Sequence, residues 1–402
     1  MCKLYAHERS SYRHTNGRRT VSSKRTLIFF VNDARFFLSH RLALALAAPS
    51  RGFHPIVVCP PSDHVSDLLD RNIEWQPIDL PRGRVQPWKE WKAIREFGDL
   101  VDRLSPDLVH CITSKPILYG GIVTRARKIP AIAAISGLGH VFISQSAKAR
   151  LLRLGASIGY RLSIRRRGMF PIFQNENDMA ILRGLGALCE EPTLVPGSGT
   201  RLDDFDPRPA LNETPRIVLN ARMLESKGVY EFVKAARILA RREVQAEMVL
   251  AGDTDSANPR AVTRKELAGW HSEGIVTWLG HRDDIAQVLK EADIVALPSF
   301  GEGFPKGLID AAAAGRPIVT TDIPGCRDAI IPGQSGLLIP KGDPAALADA
   351  LQTLVENEEL RLEMGRKGRE MAEWRFGIET IVDAHFDLYE KALSSAQEET
   401  GR

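Results

Sequence analysis

The stretch Glu302-Gly303-Phe304-Pro305-Lys306-Gly307-Leu308-Ile309-Asp310, continuing into Ala311-Ala312-Ala313-Ala314-Gly315-Arg316-Pro317, decides the reading of this chain. Upstream, Asp293-Ile294-Val295-Ala296-Leu297-Pro298 has the short apolar form of a buried strand, and Pro317-Ile318-Val319-Thr320-Thr321 repeats it downstream. Strand, loop, helix and strand in that order make one unit of a parallel sheet. The loop then lies at the carboxyl edge of the strands, where such sheets bind ligands.

Two carboxylates, Glu302 and Asp310, bracket seven residues at the point where loop becomes helix. Eight residues along a helix rise about 12 Å, enough to grip both ends of a sugar nucleotide. The turn between offers free backbone N–H groups and the positive end of a helix dipole, which suit a diphosphate. Spacing alone leaves a second reading open, an amphipathic helix with one acid at its start and one on its solvent face.

Working outward, an α/β series begins at Arg216-Ile217-Val218-Leu219-Asn220 and continues through Glu247-Met248-Val249-Leu250-Ala251-Gly252 and Val276-Thr277-Trp278-Leu279-Gly280. After the first of these strands comes Arg222-Met223-Leu224-Glu225-Ser226-Lys227-Gly228, leading into a helix near Tyr230. Two cations beside a glycine and a helix start make a diphosphate clamp, Arg222 forking onto oxygens and Lys227 adding a mobile point charge. Ordinary surface charge at a turn is the other reading. Asp253-Thr254-Asp255 has the form of a metal-binding D-x-D, but it follows Gly252 at a strand end, so a loop-forming or nucleotide-edge role is expected and no metal.

An earlier series has the same alternation. Thr26-Leu27-Ile28-Phe29-Phe30-Val31 reads as a first strand, Ser39 to Ala48 as a helix capped by Ser39, and Ile56-Val57-Val58-Cys59, Asp107-Leu108-Val109-His110 and Ile132-Ala133-Ala134-Ile135 as further strands. Loop-formers at Pro196-Gly197-Ser198-Gly199 and Asp206-Pro207-Arg208-Pro209 separate the two series. The expected organisation is α/β: a basic tail over 1–25, a Rossmann-like domain over 26–199, a second Rossmann-like domain over 210–377, and a helix over 378–395.

The Glu302 stretch resembles the Glu-x7-Glu signature of family 4 retaining glycosyltransferases, and four further segments match that family in order. The resemblance implies the GT-B fold, two doubly wound domains facing across a cleft, the first the acceptor domain and the second the donor domain. It implies a sugar nucleotide as co-substrate, with no cofactor and no metal. Arg222 and Lys227 match the residues that hold the donor's distal phosphate. Glu302 matches the acid that binds sugar hydroxyls and supports developing charge; Gly303, Phe304, Pro305, Asp310, Gly252 and Asp253 then belong to the donor side. The second acid is Asp310 where the family has Glu, which places its contact to the ribose in doubt.

Phe36-Phe37-Leu38-Ser39-His40-Arg41 and Ser136-Gly137-Leu138-Gly139-His140-Val141-Phe142 look like a subgroup that builds bacterial surface polysaccharide on a lipid carrier. That resemblance implies transfer from a UDP-sugar, N-acetylgalactosamine-like, to a polyprenyl-diphosphate-linked saccharide. Asn32, Arg35, Ser39, His40, Gly137, Gly139 and His140 then lie on the acceptor side. Many family members carry a catalytic-site His after this strand; here the equivalent position is Ser136 or Gly137, and His140 is either catalytic or structural. A sugar-nucleotide epimerase or hydrolase on the same fold is the alternative reaction, and a non-catalytic sugar-binding protein a third reading.

Bulk properties agree with two full domains: 402 residues, 44% hydrophobic and 26% charged. Five scattered cysteines without a C-x-x-C pair point to a reducing compartment. The basic, polar N-terminus lacks the apolar core of a signal peptide, so a cytoplasmic enzyme is expected. Of the net +4, the first 25 residues supply +6, and no nucleic-acid-binding motif accompanies them. Between His140 and Asn175 there is no acid but seven cations, Lys148, Arg150, Arg153, Arg161, Arg165, Arg166 and Arg167. Arg150, Arg153, Arg161 and Arg165 share a helical stripe beside Leu151, Leu154, Ile158 and Leu162. Such a helix either attaches to the anionic inner face of the cell membrane or packs on its own domain with a solvated cationic face.

Overall fold

A computed structural model describes residues 24–81, 86–138, 147–255 and 258–400. Two wholly parallel sheets organise them. The first has seven strands in the order β3-β2-β1-β4-β5-β6-β7: Arg25–Phe30 (β1), Phe53–Cys59 (β2), Glu74–Pro77 (β3), Leu108–Ile112 (β4), Ala131–Ile135 (β5), Met169–Phe173 (β6) and Thr193–Leu194 (β7). The second has six, β10-β9-β8-β11-β12-β13: Arg216–Asn220 (β8), Glu247–Ala251 (β9), Thr277–Gly280 (β10), Ile294–Leu297 (β11), Ile318–Thr321 (β12) and Gly336–Ile339 (β13). Each sheet reverses its strand order once, between β1 and β4 and between β8 and β11, and such switch points open a crevice for ligands.

The central strands are apolar without alternation because helices cover both faces. Phe29 turns to one face and meets Phe37 edge-on at 5.3 Å, while Phe30 turns to the other and stacks on Phe97 at 3.9 Å. The final helix, Ile378–Thr400, leaves the second domain and packs Ile381, Phe386 and Tyr389 into the core of the first. There the Tyr389 hydroxyl lies 2.7 Å from His110 Nδ1. Two backbone hydrogen bonds, Thr200 N to Phe376 O and Ile378 N to Thr200 O, tie the linker to this crossing segment.

Three local expectations differ from the structure. The helix after β1 starts at Ala34, capped by Asp33, whose carboxylate accepts the N–H groups of Arg35 and Phe36. Ser39 is not the cap; it sits in the last turn with its hydroxyl on the carbonyls of Arg35 and Phe36. The chain breaks at Arg41 (φ −137°) before a second helix, Leu42–Ala47. The sequence reading also passed over β6, which carries Pro171 opposite Ala133 and so lacks the look of an interior strand. Finally, the helix carrying Asp310 runs only over Lys306–Ala313, because Pro305 holds an extended backbone as its N-cap. Glu302 therefore lies in the turn, and the two acids do not share one helix.

Candidate active site

The loops after β8 and β11 flank the switch point of the second sheet, and they are bonded to each other. Phe300 N donates to Ser226 O at 2.8 Å, and Gly228, at φ 74°, presses so close to Pro298 that a Cβ there would lie 2.0 Å from the Pro298 carbonyl oxygen. This clasp brings Lys227 to Glu302, Nζ to Oε1, at 2.5 Å. The Ser299 hydroxyl lies 2.7 Å from the same Oε1 and 2.9 Å from Ser226 O, its single proton serving one at a time. Glu302 is 9% exposed and Lys227 20%, so the pair lies at the cleft wall with one edge open.

Next to it, the helix Lys306–Ala313 begins without a side-chain cap, and its first N–H groups point out of the turn. Gly307 allows the helix to start against β8: a Cβ there would lie 2.8 Å from Asn220 O. Arg222 is exposed at the mouth and pairs with Asp255 at 3.4 Å. Gly252, at φ 146°, passes under Ala221, and Asp253 pairs with Arg264. Lys227 and Arg222, each paired with a carboxylate, and the uncapped N–H groups line one rim, suited to an anionic leaving group beside a polyhydroxylated one.

Two expected donor-side groups are placed differently from the rest. The Phe304 ring is 6% exposed and packs edge-on against Phe376 at 5.5 Å, so it anchors the turn from below. Asp310 is 6% exposed, and its Oδ1 accepts from Thr200 Oγ1 at 2.7 Å and Lys306 Nζ at 2.6 Å.

Across the cleft, Gly137 (φ 133°) faces Gly303: a Cβ on Gly137 would lie 3.4 Å from the Gly303 Cα. Asn32 and Arg35 are exposed at the end of β1. His40 stacks on Phe36 at 4.3 Å, with Nδ1 2.6 Å from Ser39 Oγ. Burial first, then the charges of Arg41, Lys306 and Lys227, bring its pKa down to about 3, so the ring is neutral. Gly139 and His140 lie outside the described residues.

A family model described as "Glycosyl transferases group 1" matches residues 214–357, and one described as "Glycosyl transferase 4-like" matches residues 26–162. The first spans all six strands β8 to β13 and includes the clamp loop and the signature turn, and the second spans β1 to β5. The chain is a glycosyltransferase. This transferase is 28% identical over 383 residues, 92% of its length and 99% of the relative's, to the N,N'-diacetylbacillosaminyl-diphospho-undecaprenol alpha-1,3-N-acetylgalactosaminyltransferase of Campylobacter jejuni. It is 22% identical, over 85% of its length and 90% of the relative's, to the UDP-Gal:alpha-D-GlcNAc-diphosphoundecaprenol alpha-1,3-galactosyltransferase of Escherichia coli. Its fold matches Anabaena HepE, solved with UDP and glucose, at a TM-score of 0.72 and 18% identity, covering 90% of this chain and 99% of that one.

Sequence reasoning about the transferase missed several groups at the cleft. Ser299 and Lys306 adjoin Glu302 and Asp310, and their chain positions beside the signature were the available signal. Thr113, at the end of β4, holds φ 73° and ψ 164°, a conformation costly for a β-branched residue, at the first sheet's switch point. Asn175 and Gln174, at the end of β6, reach Gly303. No motif marked either position.

Proposed function

We propose that this glycosyltransferase moves a hexose or N-acetylhexosamine, N-acetylgalactosamine first among them, from UDP to a saccharide carried on a polyprenyl diphosphate. The carrying observation is the Lys227–Glu302 contact beside an uncapped helix start, at the switch point of the nucleotide-binding sheet. The near full-length similarity to the Campylobacter enzyme supports the same donor and acceptor classes. In the reaction the anomeric C–O bond to UDP breaks and a bond to an acceptor hydroxyl forms, with the configuration retained. The acceptor proton passes to the departing diphosphate. Lys227, Arg222 and the N–H groups at Lys306 and Gly307 stabilise charge on that leaving group. Glu302 binds sugar hydroxyls and offsets the positive charge that develops at the anomeric carbon. No step draws on a metal or a further cofactor.

The acceptor is a lipid, and the helix Ala147–Ile164 supports a peripheral seat on an anionic membrane at the cytoplasmic side. Its Ile158 and Leu162 are 52% and 54% exposed, beside exposed Arg161 and Arg165, while Tyr160 and Ile164 on the other face are buried. An amphipathic helix that turns large apolar side chains outward among arginines fits the lipid boundary better than open water. The side chains of Lys148, Arg150, Leu151 and Leu154 lie outside the described residues. Among the described residues no helix is long and apolar enough to cross a membrane.

The deciding experiment incubates the chain with a panel of UDP-sugars, with and without a polyprenyl-diphosphate saccharide. UDP release that requires acceptor supports transfer. Acceptor-free turnover would replace it with the epimerase or hydrolase reading, and silence across the panel would leave a binding protein.

A further inference from the structure

The carbonyl of Gly303, next in chain to the buried acid, is held by a side chain of the opposite domain. Asn175 is 2% exposed at the end of β6. Its Nδ2 donates to Gly303 O at 2.9 Å and to Asp178 Oδ2 at 3.0 Å, and its Oδ1 accepts Asp178 N at 2.8 Å, capping the helix Glu176–Gly184. Both N–H bonds of the amide are thus in use, one within its own domain and one across the cleft. Gly303 has no room for a side chain: a Cβ there would lie 1.9 Å from Ser136 O and 3.1 Å from Gln174 Oε1. On the other side, a Cβ on Gly325 would lie 2.3 Å from Gly303 O. The turn bearing Glu302 is therefore enclosed by the ends of β5 and β6 and by the loop after β12.

We propose that Asn175 is a positioning residue for sugar transfer, whose amide locks the Glu302–Pro305 turn to the acceptor domain when the cleft is closed. A buried carbonyl left without a donor is costly. Closure is thus favoured with the Gly303 peptide in this orientation, and the orientation of that peptide sets where the Glu302 carboxylate stands. Asn175 touches neither substrate and acts through the turn. The inference rests on the transferase reading above.

Asn175→Ser and Asn175→Asp test it. Both retain an oxygen able to cap the helix Glu176–Gly184, and both remove the amide Nδ2 that reaches Gly303 O and Asp178 Oδ2; Asp adds an oxygen facing an oxygen. Turnover should fall about ten-fold in the Ser variant, equal to about 1.4 kcal/mol, and further in the Asp variant. UDP affinity should stay within about two-fold, because the clamp lies in the second domain. Amide hydrogen exchange should quicken more in residues 299–305 than in 176–184, where the lost bond to Asp178 Oδ2 is also felt. Wild-type turnover in both variants would overturn the proposal, as would an equal rise in exchange in both segments, the mark of a capping role alone. Should the wild-type chain release no UDP from any sugar nucleotide, the transferase reading fails while the exchange measurement still decides the latch.

Discussion

Lys227 Nζ and Glu302 Oε1 stand 2.5 Å apart although they belong to loops after two different strands, β8 and β11. The pairing means that the clamp's cation and the signature's acid are one electrostatic unit. The two meet in a wall that is only partly open to water, Glu302 at 9% and Lys227 at 20% exposure. In the transfer proposed above, an arriving diphosphate would compete with Glu302 for Lys227, and a sugar hydroxyl would compensate the carboxylate.

Lys227→Ala should lower the rate of acceptor-dependent UDP release by roughly 10², the cost of removing one charge partner of the transition state. Initial rates at saturating donor check this. A near-normal rate would remove Lys227 from the mechanism.

Asp310→Asn keeps an acceptor for Thr200 but removes the charge opposite Lys306. The variant should lose about 1–3 kcal/mol of stability, the range for a buried polar group deprived of its partner, read as a lower urea midpoint. An unchanged midpoint would mean that the Lys306 pairing is screened by solvent and contributes nothing measurable.

Stability should fall in mild acid through the depressed histidines, His110 and His385 in addition to His40. His110 and His385 are fully buried beside Arg41, and burial first, then neighbouring positive charge, depresses both, His385 to about 3. Unfolded, each titrates near 6.5. Below that value the unfolded chain takes up protons that the folded one refuses, so the stabilisation is complete above about pH 6.5 and is lost as pH drops towards the folded values. The slope approaches about 1.4 kcal/mol per pH unit for each histidine. Denaturant midpoints at pH 7.5 and 5.5 should differ accordingly, and less so in His385→Gln. A midpoint independent of pH would contradict the burial of neutral rings.

Ile158→Glu with Leu162→Glu should abolish co-sedimentation with vesicles containing anionic lipid while leaving the thermal midpoint within about a degree, since exposed positions change stability little. Vesicle binding equal to wild type would place the membrane contact elsewhere.

Much of the site could be read before folding. Glu302, Arg222 and Lys227 belong to contiguous motifs anchored on strands whose apolar runs are unmistakable, and topology alone puts both loops on one sheet edge. The roles of Phe304 and Asp310 could not be read, because a motif does not say which way a side chain turns: one packs beneath the turn on Phe376, the other ties Thr200 and Lys306. The helix cap moved from Ser39 to Asp33 because the helix starts as soon as β1 ends, and only backbone geometry records that.

By itself the sequence determined two doubly wound α/β domains and the placing of Arg222 and Lys227 in one loop after a strand, since both are written in local periodicity and short spacing. Only the tertiary structure decided that Lys227 meets Glu302 and that Asn175 reaches Gly303 from the other domain. Those contacts join residues 75 and 128 positions apart in the chain. Such proximity arises when strands from distant segments are laid side by side and two domains close on one another, and no local pattern encodes it.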